Sequence, residues 1–416
     1  MKRILQRGLI IGKIIDVFLP STGWLSLSRH SYFGSNESNY TYIHIDQKSV
    51  NIMRGLIGET IGWDPSVLLN PHILIVGASG WGKTSFLRRF TRFIWENRFN
   101  GLKLIVFDYL GHFTNLGLPV VDLAETPLEP LSLLASREVE FSSGSPSRRA
   151  RAFTEAFCVA TGLGPLQLGI LLQATIQAFK SKGISDSDRG SWRRDPPQVP
   201  DIIEGLHKVV KSRRLEEVNK LEARLHEIML TYNSSNNTIG LKSIYRVLRE
   251  YKGVVLDMHA LDIHARIFFT DLIVRRLLDY AQSSKTILNI MLVVDEAKYA
   301  GFLDKRSTET RPGIEAALIA RNYGVGVVLS SQGIAHFPSD VLRNTAFKII
   351  GTLTYSMDKE YISKTMGQEV TYVIENLPRG YSVIEIQSAR NLIPTTKHLS
   401  RMIFLVEQTK DITYYT

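Results

Sequence analysis

Cysteine is almost absent from the sequence. The 416 residues include a single cysteine, Cys158, so the chain alone can form neither a disulfide nor a metal site made of several cysteines. A disulfide-stabilised secreted domain is therefore excluded, and a reducing compartment is favoured. We also expect neither a signal peptide nor a transmembrane segment, because the apolar stretch at residues 8–20 contains Lys13 and Asp16 and no cleavage site of small residues. We therefore expect a cytoplasmic protein.

Acidic residues are fewer than basic ones. Asp and Glu number 40 against 50 Lys and Arg, which gives a formal net charge of +10. This excess favours a polyanionic partner, with nucleic acid as the first expectation and a membrane surface as the second. The composition, 44% hydrophobic and 22% charged, excludes a disordered or fibrous chain. At this length roughly two or three domains, or one large domain with an insertion, are expected.

Five short, unbroken apolar runs predict a central sheet. They occupy residues 73–77, 104–108, 253–257, 290–296 and 325–331. Such runs are typical of strands buried on both faces, and the stretches between them have the length and periodicity of helices. We therefore predict an α/β fold with a mostly parallel sheet wrapped by helices.

The remaining regions differ in their patterning. Residues 1–68 contain the β-rich runs LIIGKIIDVFLP, WLSLS and TYIHID between turn residues, which predicts a small β module. The core would comprise residues 69–135 and 250–395. Residues 136–249 lack strand runs and predict a helical insertion, whereas residues 396–416 form a tail that is either a packed segment or an arm to a neighbouring subunit.

Two patterns describe the insertion in more detail. One face of a predicted helix carries apolar residues spaced by 3, 4 and 3 positions: Val218, Leu221, Leu225 and Ile228. The polar and basic stretches at residues 143–151 and 185–200 predict loops.

The strongest motif is a phosphate-binding loop. Residues 77–84 read Gly-Ala-Ser-Gly-Trp-Gly-Lys-Thr, which satisfies GxxxxGK[ST] between a predicted strand and a predicted helix. Glycines let successive N–H groups face phosphate oxygens, and the helix N-terminus adds partial positive charge. We expect Lys83 to reach the β and γ phosphates of ATP and Thr84 to complete the coordination of Mg²⁺. The predicted nucleotide-binding residues are Gly77, Ala78, Ser79, Gly80, Trp81, Gly82, Lys83, Thr84 and Ser85.

Acidic residues follow a second buried strand. The run IMLVVDEA places Asp295 and Glu296 where the strand ends. We expect Asp295 to hold Mg²⁺ through water and Glu296 to polarise the attacking water as the general base. The next strand ends in Gln332, which is either a sensor of the γ phosphate or an amide that caps the strand.

Four segments in order resemble the HerA/FtsK superfamily of ring-forming ATPases, and most closely its HerA and conjugation-ATPase branch. The phosphate loop is followed by FDYLGHF, by PLEPLSLL, by the strand and helix that precede Asp295, and by IARNYGVGVVLSSQ. The N-terminal β module also resembles the small barrel that precedes the motor in HerA proteins. The resemblance is weakest over residues 136–250.

The resemblance implies a RecA-like core in a homo-hexameric ring that hydrolyses ATP and translocates double-stranded DNA. It implies a NurA-like nuclease as a partner in DNA end processing. The strand that leads to Gln332 would lie between the strand that precedes Lys83 and the strand that precedes Asp295. Arg321 would act on the nucleotide of the adjacent subunit, with Arg311 as the alternative.

One departure from the family pattern concerns the second motif. The family usually has Glu where this chain has His112, so a carboxylate role at that position is lost or moved. Two rival functions also fit the motifs, a conjugation or secretion ATPase that powers an export machine and a viral genome-packaging ATPase.

Two further groups of residues are weaker candidates. Four residues within eight positions are potential Zn²⁺ or Mn²⁺ ligands, although surface and capping roles explain them better: Asp257, His259, Asp262 and His264. Basic clusters would line a DNA path or form solvated helix faces: Arg148, Arg149, Arg151, Arg193, Arg194, Lys211, Arg213 and Arg214.

Overall fold

The computed structural model describes two compact units of the chain, Met1–Phe93 with Gly326–Thr416 and Ile94–Val325. The described residues are 8–19, 25–26, 54–65, 68–97, 101–125, 130–131, 145–209, 215–233, 250–285, 287–302, 310–335, 337–387 and 401–415. The predicted run TYIHID and all but two residues of PLEPLSLL lie outside these ranges.

The elements of the chain alternate between strands and helices over most of its length. The strands are β1 (Gly8–Leu19), β2 (Leu25–Ser26), β3 (Thr60–Trp63), β4 (Ile73–Val76), β5 (Lys103–Asp108), β6 (Val120–Asp122), β7 (Gly253–Asp257), β8 (Ile290–Val294), β9 (Val325–Ser331), β10 (Phe347–Ile350), β11 (Tyr381–Gln387) and β12 (Arg401–Tyr415). The helices are α1 (Lys83–Glu96), α2 (Pro146–Thr161), α3 (Pro165–Ser181), α4 (Val199–Val209), α5 (Leu215–Asn233), α6 (Ile263–Ser284), α7 (Gly313–Ile319), α8 (Ser339–Arg343), α9 (Ser356–Met366) and α10 (Gln368–Glu375).

The first unit combines parallel and antiparallel strands. Its strand order is β2-β1-β12-β11-β10-β4-β9, and β3 also pairs with β1. The central strand β4 is parallel to both β9 and β10, and all four of its residues are buried. The tail contributes β12, which pairs with β1 and β11 of the same chain. Residues 401–415 thus form a strand in the sheet of their own chain.

The second unit contains four parallel strands in the order β8-β5-β7-β6. Strands β7 and β8 are completely buried, as unbroken apolar runs predict. Helices α2 and α6 pack through aromatic rings, with the centroids of Phe153 and Phe268 5.6 Å apart. The α/β fold with a mostly parallel sheet is therefore confirmed, and each of the five predicted runs forms a strand.

The insertion contains helices α2 to α5, and the apolar face predicted on α5 is buried at Val218, Leu221, Leu225 and Ile228. The loop predicted at residues 143–151 is wrong from Pro146 onward, because α2 begins there. Proline fits the first turn of a helix, where its missing N–H is not needed and its fixed φ is already helical. The polar and basic composition of this stretch predicted a loop, but most of it forms the start of α2.

A charged cluster around the buried Glu385 links strands β10, β11 and β12 of the first unit. Glu385 of β11 is 2% exposed and contacts Lys348 of β10 at 3.2 Å and Arg401 of β12 at 2.5 Å. Burial raises the pKa of Glu385, but the charges of Lys348 and Arg401 outweigh it and lower that pKa from 4.5 to about 2. For Lys348 the effects are reversed: burial lowers the pKa of its ammonium group, and the negative charge of Glu385 only partly offsets that lowering. The two short contacts of Glu385 with cations favour the ionised pair.

Glu385→Ala is expected to destabilise the protein by roughly 3–5 kcal/mol at pH 7, because it leaves Lys348 charged and buried. Since its pKa is lowered on folding, Glu385 contributes its full stability above pH 4.5 and loses it as the pH falls toward 2. Urea unfolding of the variant and of the exposed control Glu360→Ala measures both effects. Equal unfolding midpoints for the two variants would contradict this account.

Candidate functional site

The predicted phosphate loop lies between β4 and α1 of the first unit. Gly80 and Gly82 have φ of 77° and 112°, a backbone region that glycine tolerates and other residues rarely adopt. The first helical hydrogen bond runs from the Phe86 amide to the Gly82 carbonyl at 2.9 Å. The loop therefore needs these two glycines to turn from the strand into the helix.

Lys83 is fixed to the loop that precedes it. Its Nζ atom donates to the carbonyl oxygens of Gly77 at 2.7 Å and Ala78 at 3.2 Å, and the residue is 7% exposed. Thr84 is half-buried and Ser85 is exposed at the start of α1. A positive charge and a hydroxyl group are thereby placed at the helix N-terminus, where an anion is favoured.

The Trp81 side chain anchors the loop to its own unit. Its Nε1 atom donates to the Tyr381 carbonyl oxygen at 3.2 Å. A Cβ atom on Gly351 would lie 2.2 Å from the indole ring, and one on Gly77 would lie 3.2 Å from it. The ring therefore packs where only glycine leaves room, and Trp81 is largely buried at 9% exposure.

Two neighbouring backbone groups position the start of the loop. The Gly77 amide donates to the Ser331 carbonyl at 3.2 Å, and the Ala78 amide donates to the Thr352 carbonyl at 2.7 Å. Gln332 follows Ser331 directly and is exposed. Gln332 thus lies at the strand end that contacts the loop. Nothing in the sequence singled out Thr352, because its pairing with Ala78 bridges segments far apart in the chain.

The acidic pair follows β8 in the second unit. Asp295 is 3% exposed, and Glu296 is partly buried. Glu296 has φ 70° and ψ 85°, a left-handed conformation that costs a residue with a side chain roughly 1–3 kcal/mol. Such strain is typical of functional positions, because the surrounding structure must hold it.

The second motif lies beside Asp295. The Asp108 carboxylate accepts hydrogen bonds from the amides of His112 at 3.0 Å and Phe113 at 2.7 Å, and these bonds shape the loop. The Nδ1 atom of His112 lies 3.8 Å from a carboxylate oxygen of Asp295, which is beyond hydrogen-bond distance. The His112 side chain is 43% exposed. His112 therefore contributes to the loop through the hydrogen bond of its backbone amide to Asp108, and its imidazole forms no hydrogen bond with Asp295.

His112→Glu is expected to retain ATPase activity within about tenfold of the wild type, because Asp108 shapes the loop through backbone amides. The measurement is steady-state ATP hydrolysis, with His112→Ala as the matched control for loss of the imidazole. Complete inactivation by both changes would show that the imidazole has a function of its own.

The two candidate arginines differ in what the structure describes. Arg321 begins a short 3₁₀ helix, Arg321–Tyr323, and its side chain lies outside the described part of the structure. Arg311 is 61% exposed and pairs with Glu315 at 3.3 Å. Arg311 is therefore held by a carboxylate of its own subunit.

The four candidate metal ligands have other contacts. Asp257 and His259 pair at 2.8 Å, and this hydrogen bond raises the pKa of His259. Asp262 caps α6 by accepting a backbone N–H bond at 2.9 Å, and His264 bonds to a backbone carbonyl of α2 at 2.7 Å. Within the described ranges, no group of three or more His, Cys, Asp or Glu residues is arranged to hold a metal ion.

The basic clusters are only partly available to a partner. Arg149 is 4% exposed, so it cannot contact a phosphate backbone at the surface, whereas Arg148 and Arg151 on the same helix are exposed. Arg193 and Arg194 are also exposed. The cluster of Lys211, Arg213 and Arg214 lies outside the described residues.

No protein-family model matches the chain. Two DNA double-strand break repair helicases named HerA are similar in sequence. The protein from Sulfolobus acidocaldarius is 24% identical over 346 residues, which cover 79% of this chain and 66% of the relative. The protein from Saccharolobus solfataricus is 26% identical over 352 residues, which cover 79% of this chain and 65% of the relative. The chain thus spans a little less than two thirds of the length of these relatives.

Solved structures share the fold. VirB4 of Thermoanaerobacter pseudethanolicus superposes with a TM-score of 0.59 at 17% identity, covering 91% of this chain and 99% of that chain. The bacterial conjugative coupling protein TrwB superposes with a TM-score of 0.54 at 12% identity, covering 98% of this chain and 97% of that chain. The resemblance to the HerA/FtsK superfamily predicted from the sequence motifs is therefore confirmed by HerA helicases in sequence and by VirB4 and TrwB in fold.

Proposed function

We propose that the protein is an ATP-hydrolysing motor that translocates double-stranded DNA. The observation that carries this proposal is the phosphate loop, which turns at two glycines and places Lys83 at the start of α1. The chain that contains this loop is similar to a HerA helicase over 346 residues. A helix N-terminus with a lysine and a hydroxyl group is a ready anion site. The basic excess of the chain also suits a polyanionic partner.

The nucleotide chemistry is assigned to five residues. Lys83 binds phosphate oxygens of ATP, and Glu296 accepts the proton of the attacking water. Gln332, at the strand end beside the loop, senses the γ phosphate. Thr84 and Asp295 supply the hard oxygen atoms that Mg²⁺ prefers and would hold it. When bound, Mg²⁺ neutralises charge on the phosphates.

Assembly belongs to the same proposal. A homo-hexameric ring would thread the duplex, and Arg321 would stabilise transition-state charge on the nucleotide of the next subunit. The relatives are named for the repair of double-strand breaks. DNA end processing with a NurA-like nuclease is accordingly the expected setting.

A second candidate function is an ATPase that powers conjugation or secretion. The fold similarity to VirB4 and TrwB favours it, and TrwB is named as a conjugative coupling protein. None of the helices in the described ranges is long and apolar enough to cross a membrane. The two candidates differ in whether duplex DNA is the substrate that is moved.

The response of ATPase activity to duplex DNA and salt tests the proposal. A motor that grips the phosphate backbone releases counterions on binding, so its affinity for duplex should fall by roughly a thousandfold or more between about 50 and 200 mM salt. ATPase stimulation should follow the same curve, and random duplexes of equal length should compete equally. An ATPase rate that is unchanged by linear duplex at low salt would favour the secretion candidate.

A further inference from the structure

The turn that precedes β11 carries an exposed arginine. Helix α10 ends at Glu375, and the chain reaches β11 through a turn at residues 377–381. The turn is closed by a hydrogen bond from the Tyr381 amide to the Pro378 carbonyl at 3.2 Å, and Gly380 has φ 86°. Arg379 lies at the tip of this turn, and its side chain is exposed.

Hydrogen bonds connect this turn to the phosphate loop on two sides. Thr352 receives the Ala78 amide on its carbonyl at 2.7 Å and donates its hydroxyl to the Leu377 carbonyl at 3.0 Å. On the other side, the Trp81 indole donates to the Tyr381 carbonyl at 3.2 Å. The residues on either side of Arg379 are therefore held at a fixed place relative to the loop.

The guanidinium group of Arg379 lies beside the exposed middle of the loop. Its Nη2 atom is 3.8 Å from the position that a Cβ atom on Gly80 would occupy. Across the described ranges, no carboxylate forms an ion pair with Arg379. A full positive charge, not neutralised by a carboxylate, is thus placed against the segment whose amides would receive phosphate.

We propose that Arg379 binds the phosphate groups of the nucleotide held by the phosphate loop of its own subunit. The inference rests on the proposed function, because it takes that loop to be a nucleotide site. A guanidinium group presents several N–H donors in a plane and forms strong charge-assisted bonds with phosphate oxygens. Arg379 would therefore add a second cation to Lys83 without any contribution from a neighbouring subunit.

The experiment compares nucleotide binding by three variants of the full chain. Arg379→Ala should weaken the binding of ADP and of ATP by about tenfold or more, and Arg379→Lys should restore part of the loss because it keeps the charge without the planar fork. Arg54→Ala removes an arginine that is also exposed in the first unit and should bind both nucleotides like the wild type. Fluorescent analogues of ADP and ATP report the dissociation constants.

Melting temperatures distinguish nucleotide binding by Arg379 from a purely structural role. If Arg379 binds the nucleotide, the melting temperature of Arg379→Ala without nucleotide should equal that of the wild type, whereas the rise in melting temperature caused by ADP should be smaller. Wild-type affinity in Arg379→Ala, or a lowered melting temperature without nucleotide that Arg379→Lys does not restore, would overturn the inference alone. Failure of the wild-type chain to bind ATP or ADP would overturn the proposed function as well.

Discussion

Lys83→Ala is expected to lower ATP hydrolysis by at least about a thousandfold, because it removes the ammonium group that would bind the phosphates undergoing transfer. The fold should remain intact, since alanine suits the first turn of α1 and the two hydrogen bonds of the Lys83 ammonium group join it to carbonyl groups of the adjacent loop, Gly77 and Ala78. Steady-state turnover and circular dichroism measure the two effects.

The matched control is Lys364→Ala, which removes an exposed lysine that pairs with Glu360 on α9. Its turnover should equal that of the wild type. Turnover retained in Lys83→Ala at the level of this control would contradict the assignment of residues 77–84 as the nucleotide site.

Glu296→Gln is expected to stop hydrolysis while leaving ATP binding within a few fold of the wild type. An amide can still hydrogen-bond to water but cannot accept its proton, so the loss of turnover should be at least about a hundredfold to ten-thousandfold. Glutamine keeps a side chain on the left-handed backbone of this residue, so the change is confined to the chemistry. Single-turnover hydrolysis and equilibrium binding separate the two quantities.

Glu296→Gly separates strain from chemistry. Glycine tolerates φ 70° without cost, so this variant should be as inactive as Glu296→Gln although the local backbone strain is relieved. If Glu296→Gln instead loses ATP binding outright, the roles given to the base and to the Mg²⁺ ligand are misassigned.

The sequence predicted the sheet where the signal is local. Strands β4, β5, β7, β8 and β9 are short apolar runs, and burial on both faces makes each of them readable without knowledge of its neighbours. The strand that pairs with the C-terminal tail could not be predicted from the sequence. Strand β12 pairs with β1, about 400 residues earlier in the chain, and no local pattern specifies that partner.

The candidate site also has features that the sequence predicts and features that only the fold determines. The phosphate loop is contiguous, so its residues could be identified from spacing alone. The packing of Trp81 on Gly351 and the placement of Arg379 beside Gly80 depend on strands far apart in sequence. The left-handed backbone of Glu296 was also unreadable, because strain is imposed by the fold and not by the residue.

Displacement of a third strand from a DNA triplex is the most direct test of the central claim that the protein moves along duplex DNA. A linear duplex carries the labelled third strand at its far end, and release is followed with ATP, without ATP and with Glu296→Gln. The account predicts release that requires ATP, lags in proportion to the length of duplex travelled and is lost in Glu296→Gln. ATP hydrolysis stimulated by the same duplex, with no release of the third strand, would contradict it.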